Sequence, residues 1–427
     1  MTTSLRKLEV RLERAREDSE LVGQLVEHRG RVGFEYAPAF IAAGRSISPL
    51  KLPLKPELVW APAHDRLHGV FDDALPDGWG MLLMDRHFRR SGLNITSISV
   101  LDRLAYLGDR TMGALTFFPP ADDRPTHSDS IDLQQLSDAA EQVIAGAISE
   151  VLPQLQYAGG TPGGARPKVL VAVCGDQMRT GTDLPPEGYE SWLIKFTGKH
   201  EAADTGAVEH VYANLARRAG IRVPETRLFV TAAGQRCFGV RRFDRVGATR
   251  LHIHTLAGLL NADIRVPNLD YDYFFRVTSQ LTRSHVDVSE VFRRMLFNVL
   301  AHNRDDHGKN SSYIMNWDGE WSLAPAYDLT FSQGPGGHHT MAVNGESASP
   351  TWRDMLALAG LAGIDERAAA AILEQVREAV HAWPAEARAF DVEAATIATL
   401  GKRLAAVEQA AQLPKLAAAP RRRARRP

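Results

Sequence analysis

The chain has 427 residues, 50 Lys and Arg against 51 Asp and Glu, a formal net charge of −1 and 44% hydrophobic residues. That balance excludes a disordered or fibrous chain and, at about 100–200 residues per domain, predicts two or three packed domains. No apolar run approaches the ~18 residues that span a bilayer, and the start MTTSLRKLEV lacks the apolar stretch of a signal peptide, so a cytoplasmic protein without membrane contact is expected. Cys174 and Cys237 are too few for a disulfide framework or a Cys-based zinc site. Both fall in strand-like segments and are expected as buried thiols.

Charge is unevenly spread. Residues 413–427 carry Lys415, Arg421, Arg422, Arg423, Arg425 and Arg426 and no acid, which leaves 44 basic against 51 acidic residues in the body. Such a Pro/Ala/Arg tail builds no core and reads as a disordered, solvated charge run.

In chain order, residues 22–26 and 32–36 read as strands, and the turn Leu75-Pro76-Asp77-Gly78 opens a helical stretch over 80–88. Strand-like ALTFF is followed by PPADDRPTHSDSID, a linker composition, so residues 1–125 are expected as a small α+β unit. A helix over 133–148 then leads into strands at 169–174, 192–196, 228–231 and 237–243, interrupted by a helix marked by Val208, Val211, Tyr212, Leu215 and Ala219 and closed at Gly220. From Leu256 helices dominate, over 271–282, 288–302, 352–361, 366–380 and 392–412. A strand-rich lobe (126–250) thus precedes a helix-rich lobe (251–412), and the seam between two lobes is where a ligand is expected.

The densest chemical cluster is Asn303-Arg304-Asp305-Asp306-His307-Gly308-Lys309-Asn310, directly after an amphipathic helix. So many polar groups are costly to bury without partners. Arg-Asp followed by four residues and Asn reproduces the catalytic-loop pattern of protein kinases, in which Asp receives the acceptor proton and Asn holds a metal. Eighteen residues beyond Asn310 stands Asp328, a carboxylate suited to a second Mg²⁺ contact. Lys195 sits inside the otherwise apolar strand WLIKF, where an ammonium calls for an anion such as a nucleotide phosphate. GGTPGGARPK, residues 159–168, is a glycine-rich loop whose backbone N–H groups, with Arg166 and Lys168, suit phosphate; it is not a Walker A loop, because Val169 follows Lys168.

GGTPGGARPK, WLIKF, VRRFDR, NRDDHGKN and PAYDLT, together with FEYAPAF, ALPDG and LGDRTMGALTF nearer the start, resemble in order and spacing the HipA family of bacterial serine/threonine kinases, from about residue 21 to about 412. The resemblance implies an α+β, protein-kinase-like two-lobe fold with an additional small N-terminal subdomain. It also implies ATP and Mg²⁺ as cofactors, Asp305 as catalytic base, and Asn310 and Asp328 as metal ligands. Nucleotide contacts are implied for Gly163, Gly164, Ala165, Arg166, Lys168, Lys195, His307, Lys309, Asn310, Tyr327 and Asp328, with Arg241, Arg242 and Phe243 as the hinge beside adenine. Thr161 occupies the place of the family's autophosphorylated serine. Glu209 either pairs with Lys195, as in eukaryotic kinases, or is a surface residue of its helix. The implied partners are a protein substrate, in the family an aminoacyl-tRNA synthetase, and a HipB-like DNA-binding antitoxin, with DNA touched only indirectly.

Three rival readings remain open at this level, one of them a small-molecule kinase that shares the whole site and differs only in the acceptor. A corepressor or scaffold that acts with such an antitoxin would keep the fold and little activity. A phosphohydrolase would gather His252, His254, His302, Asp305, Asp306 and His307 into a two-metal site. His338-His339, in GPGGHH, reads as an ordinary loop.

Overall fold

The computed structural model describes residues 7–62, 66–121, 131–146, 153–159, 163–180, 184–198, 201–263, 266 and 269–414. Residues 122–130 of the expected linker at 119–132, Thr161, and residues 415–427 of the expected basic tail at 413–427 lie outside the described residues. Among those described, no helix is long and apolar enough to cross a membrane.

The N-terminal unit is built on an antiparallel sheet of β1 (Lys7–Ala15), β2 (Asp18–His28), β3 (Arg31–Tyr36), β4 (Val59–Trp60) and β5 (Leu115–Phe118), in the order β4-β3-β2-β1-β5. Strand β1 escaped the sequence reading because its apolar residues alternate with charges. Leu8, Val10 and Leu12 are buried between Glu9, Arg11 and Glu13, the period of a half-buried strand. Helices α1 (Pro38–Ala43), α2 (Gly69–Asp72), α3 (Gly78–Arg90) and α4 (Val100–Leu107) complete the unit, and α4 opens with a Ser99/Asp102 capping box.

A second antiparallel sheet follows α5 (Leu133–Ile144) and α6 (Pro153–Gly159). Its strands β6 (Lys168–Cys174), β7 (Gln177–Thr180), β8 (Glu190–Lys195), β9 (Thr226–Val230) and β10 (Arg236–Arg241) lie in the order β7-β6-β8-β10-β9. Strand β10 stops at Arg241, short of the expected Phe243, so Arg242 and Phe243 leave the ladder. Cys237 is buried, as expected, and burial pushes its thiol up to about 12, whereas Cys174 is exposed at the strand end beside the β6–β7 turn. Helix α7 (Thr205–Arg218) crosses this sheet; Gly206 meets the carbonyl of Arg236 so closely that any side chain there would clash.

Short strands β11 (Arg245–Val246) and β12 (Thr249–Arg250) lead to β13 (His252–Thr255), which pairs with β15 (Ser312–Met315), itself paired with β16 (Trp321–Leu323). Strand β14 (Leu269–Asp270) pairs in parallel with β17 (Met341–Ala342). The remaining helices are α8 (Leu256–Leu260), α9 (Tyr271–Thr282), α10 (His285–Leu300), α11 (Trp352–Leu361), α12 (Glu366–His381), α13 (Trp383–Ala389) and α14 (Ala394–Ala410). Helix α13, absent from the sequence reading, is a separate turn opened by Pro384 and anchored by the fully buried Trp383.

The largest core joins α7 to α9–α14, with Val291, Phe292, Met295, Leu296 and Phe297 of α10 at its centre. Each such side chain contributes about 1.5–3 kcal/mol on burial. A second core lies within the N-terminal sheet but takes in Met315 from β15. A third places Trp79 and Leu83 of α3 against β6, β8, α5 and α6. Buried ion pairs reinforce these seams: Asp244 accepts from Arg242, Arg245 and, at 2.7 Å, the Gly113 N–H of the N-terminal unit.

His252, fully enclosed with Nε2 2.9 Å from the Ile47 carbonyl, is pushed by burial down to about 4. Its folded-state pKa is below the unfolded value of about 6.5, so its stabilising contribution is complete above pH 6.5 and is lost as the pH falls through 4. Chemical denaturation at pH 7.5 and 4.5 should give a loss of roughly 2–3 kcal/mol from this residue, and that share should disappear in His252→Gln.

Candidate active site

The site grows from the end of α10. Beyond Leu300 the chain turns through His302, at φ 54°, into the loop that carries Asp305. Arg304 donates to the carbonyls of Ala348, at 2.9 Å, and Gly337. Asp306 is buried and accepts from Tyr271 Oη at 2.9 Å, His339 Nδ1 at 2.9 Å and Thr340 N–H at 2.8 Å. With its neighbours on both sides tied down, Asp305 is the residue turned outward, its side chain 56% exposed. Asn310 Nδ2 donates to the Asp305 carbonyl at 2.8 Å and thereby fixes the loop's curvature while leaving its own Oδ1 as an oxygen donor. Partial burial raises the Asp305 carboxyl above the ordinary range; His307 opposes the rise, and the negative charges of Asp328 and Asp306 add to it.

Opposite this loop stand two lysines. Lys168 on β6 and Lys195 on β8 are direct cross-strand partners, so both side chains leave the same face of the sheet. Like charges so placed repel, and acidic residues answer them. Lys195 Nζ contacts both Glu209 of α7 and Asp328 beyond β16, and Glu209 is almost fully buried. The sequence alternatives for Glu209 are thus resolved in favour of the ion pair. Burial alone would lower Lys195, but the two carboxylates outweigh it and hold the ammonium above its ordinary value. Burial would raise Asp328, yet Lys195 and Lys168 hold its carboxyl far below the carboxylate range. Lys168 itself is lowered by burial and by Lys195, with Asp328 opposing, and it donates to the Gly163 carbonyl at 2.6 Å.

Arg166 completes the cluster. Its Nη1 donates to Glu209 Oε2 at 2.7 Å and its Nε to the Phe196 carbonyl at 3.0 Å, while Nη2 is buried with no partner among the described residues. His307, 3.9 Å from Asp305 through Nε2, likewise keeps a buried Nδ1 without a partner. Unpaired buried donors and stacked ammonium groups favour an anionic ligand. Lys309 donates to Asp72 at 3.2 Å, and its carbonyl accepts from Tyr327 Oη at 2.6 Å.

The expected hinge divides. Arg241 is at the surface with Glu190 and Glu225, and Arg242 is buried against Asp244. Phe243 lies face to face with Tyr327, ring centroids 5.8 Å apart, beside the polar cluster. Gly163, Gly164 and Ala165 form the described part of the glycine-rich loop; Thr161 falls outside it. The residues of the two-metal alternative are dispersed: His252 is held by Ile47, His254 lies between Asp73 and Ser48, and His302 Nδ1 faces the Ser332 carbonyl. Sequence reasoning missed His339 as the anchor of Asp306 and Asp77 as the acceptor of the Gly164 N–H. No local signal marks either one, because each acts across more than thirty residues of chain.

A strand-rich lobe with a buried Lys–Glu pair, facing a helical lobe with an Asp-x4-Asn loop, defines a protein-kinase-like fold. Residues 160–383 match the HipA-like C-terminal domain and residues 14–118 the HipA N-terminal domain, so the chain belongs to the HipA family. Among curated relatives, "Putative kinase Y4dM" of Sinorhizobium fredii (strain NBRC 101917 / NGR234) is 28% identical over 241 residues, 52% of this chain and 53% of that protein. "Putative kinase Y4mE" of the same strain is 26% identical over 335 residues, 73% and 75% of the two chains. The match therefore spans about half the length of the first relative and three quarters of the second. A HipA chain of Shewanella oneidensis MR-1, solved with HipB and operator DNA, superposes with a TM-score of 0.70 at 17% identity, over 95% of this chain and 100% of that one. At that identity the likeness is one of fold.

Glu209→Gln should strip Lys195 and Arg166 of a shared buried anion. Urea denaturation is expected to give a loss of about 3 kcal/mol, within the range for breaking a buried pair on one side.

Proposed function

We propose that the chain is an ATP- and Mg²⁺-dependent protein serine/threonine kinase of HipA type. The observation that carries this reading is the Lys195 ammonium held between Glu209 of one lobe and Asp328 of the other, with Lys168 beside it and Asp305 on the facing loop. Among alternatives, it fits a polyphosphate entering between the lobes best. The kinase names of Y4dM and Y4mE support the same assignment.

In this reading Lys195, Lys168 and Arg166 neutralise the phosphates, the backbone of residues 163–165 covers them, and His307 and Lys309 contact them from the loop. Adenine lies against the hinge at 241–243, with the Phe243–Tyr327 pair as its apolar wall. The oxygens of Asn310 and Asp328 are hard donors that would hold Mg²⁺, which supplies charge neutralisation on the β- and γ-phosphates when bound. Asp305 orients the acceptor hydroxyl and takes its proton as the oxygen bonds to the γ-phosphorus, the bond to the β–γ bridging oxygen breaks and ADP leaves. Its raised pKa brings the carboxylate nearer the range in which a general base works at neutral pH.

Thr161 is the proposed site of self-phosphorylation. A cellular protein hydroxyl is the proposed acceptor, with an aminoacyl-tRNA synthetase as the family's precedent. The HipB and operator DNA that accompany the Shewanella HipA support a DNA-binding antitoxin as a partner here, with DNA reached through it.

Intact mass after incubation with ATP and Mg²⁺ tests the proposal. The wild type should gain phosphate, mapped to Thr161, and Asp305→Ala should gain none. Bound ATP without transfer in the wild type would overturn kinase activity in favour of a scaffold.

A further inference from the structure

The segment joining α2 to α3 belongs to the N-terminal unit, yet each of its acidic residues at 72, 73 and 77 contacts a different part of the kinase-like body. Asp72 pairs with Lys309 at 3.2 Å, on the loop that carries Asp305. Asp73 accepts from Thr255 N–H at 2.8 Å and Thr255 Oγ1 at 2.7 Å, and lies 2.6 Å from His254 Nδ1, which seats the segment at the start of α8. Asp77 Oδ1 accepts the Gly164 N–H. The adjoining residues strengthen that last contact: Trp79 N–H donates to the Gly164 carbonyl at 2.9 Å, and its indole donates to the Lys168 carbonyl at 3.0 Å. Gly78, at φ 43°, lies so close that a Cβ there would be 2.6 Å from Ala165 Cα.

We propose that residues 72–77 form a clamp that sets the separation between the glycine-rich loop and the Asp305 loop, with Asp77 as the residue that positions the glycine-rich loop for nucleotide phosphates. This rests on the kinase reading for its consequence, though not for its geometry. Here a third unit bridges the loops of the two lobes from outside. The grip is unequal. Asp72 is 55% exposed and its ion pair is screened by water, whereas Asp73 and Asp77 bind backbone N–H groups directly. Asp77 acts through the loop, and hydrogen-bond acceptance is the property that matters.

Two readouts test the clamp separately from the activity. Hydrogen exchange of the peptide covering residues 163–168, without nucleotide, should be about tenfold faster in Asp77→Ala than in wild type and restored in Asp77→Asn, whose amide oxygen still accepts. In phosphoryl transfer, Asp77→Ala should raise KM for ATP about tenfold with kcat changed less than about threefold, and Asp77→Asn should stay within about twofold of wild type. Unchanged exchange in Asp77→Ala, or equal impairment of both variants, would overturn the proposal. A folded wild type that neither binds ATP nor transfers phosphate would overturn the kinase reading instead, and exchange would still decide the clamp.

Discussion

A lysine in a buried strand has to be neutralised, and the arrangement around Lys195 follows from how this chain does it. Its ammonium is enclosed by sheet and helix, where an unpaired charge would cost several kcal/mol. One carboxylate comes from α7 and the other from the loop after β16, so a single side chain joins the strand-rich lobe to the helical lobe. Lys168, directly across the ladder, makes the local charge too positive for either acid alone. The result is a cluster of two lysines, Arg166, Glu209 and Asp328 in which the positive groups keep unspent hydrogen-bonding capacity. Such a cluster is held together by internal carboxylates and is suited to exchange part of that pairing for phosphate.

The facing loop obeys a different constraint. Arg304 and Asp306 turn inward, and each is held by backbone or aromatic partners brought in from 337–348 and from α9. The carboxyl of Asp305 is left pointing out because its neighbours cannot. Asp305 is thus an exposed acid held rigidly on both sides. The N-terminal unit adds to it: the buried Asp244 cluster fastens it to residues 242–245, and Met315 sits in its core, so the site is built on three packed bodies.

Much of this was legible in the sequence. Helices α9 and α11 were read to the residue, because their apolar positions repeat at the helical period and their ends are capped by Asp270 and by Thr351 with Asp354. Asp305, Asn310, Lys195 and Asp328 stood out as polar residues in places where burial is costly. Strand β1 was hidden by its charged outer face, and α13 by its short length and its start at Trp383-Pro384 immediately after α12. His339 looked like loop chemistry in a glycine-rich turn and is a buried partner of Asp306. Cys174 looked like core and is exposed, because β6 has already left the protected interior by its last residue.

The sequence by itself determined the strongly periodic helices and the apolar strands of the two lobes, which residues carry unusual polarity, and the order in which the phosphate-suited motifs occur. These are local properties, set by side-chain periodicity and by the cost of burying charge. Tertiary structure alone decided which acid answers Lys195, that Arg242 turns to Asp244 while Phe243 faces Tyr327, and that Asp77 of the N-terminal unit reaches the glycine-rich loop. Those contacts join residues up to 133 positions apart, and nothing in the neighbourhood of either partner records the distance across which the fold brings them together.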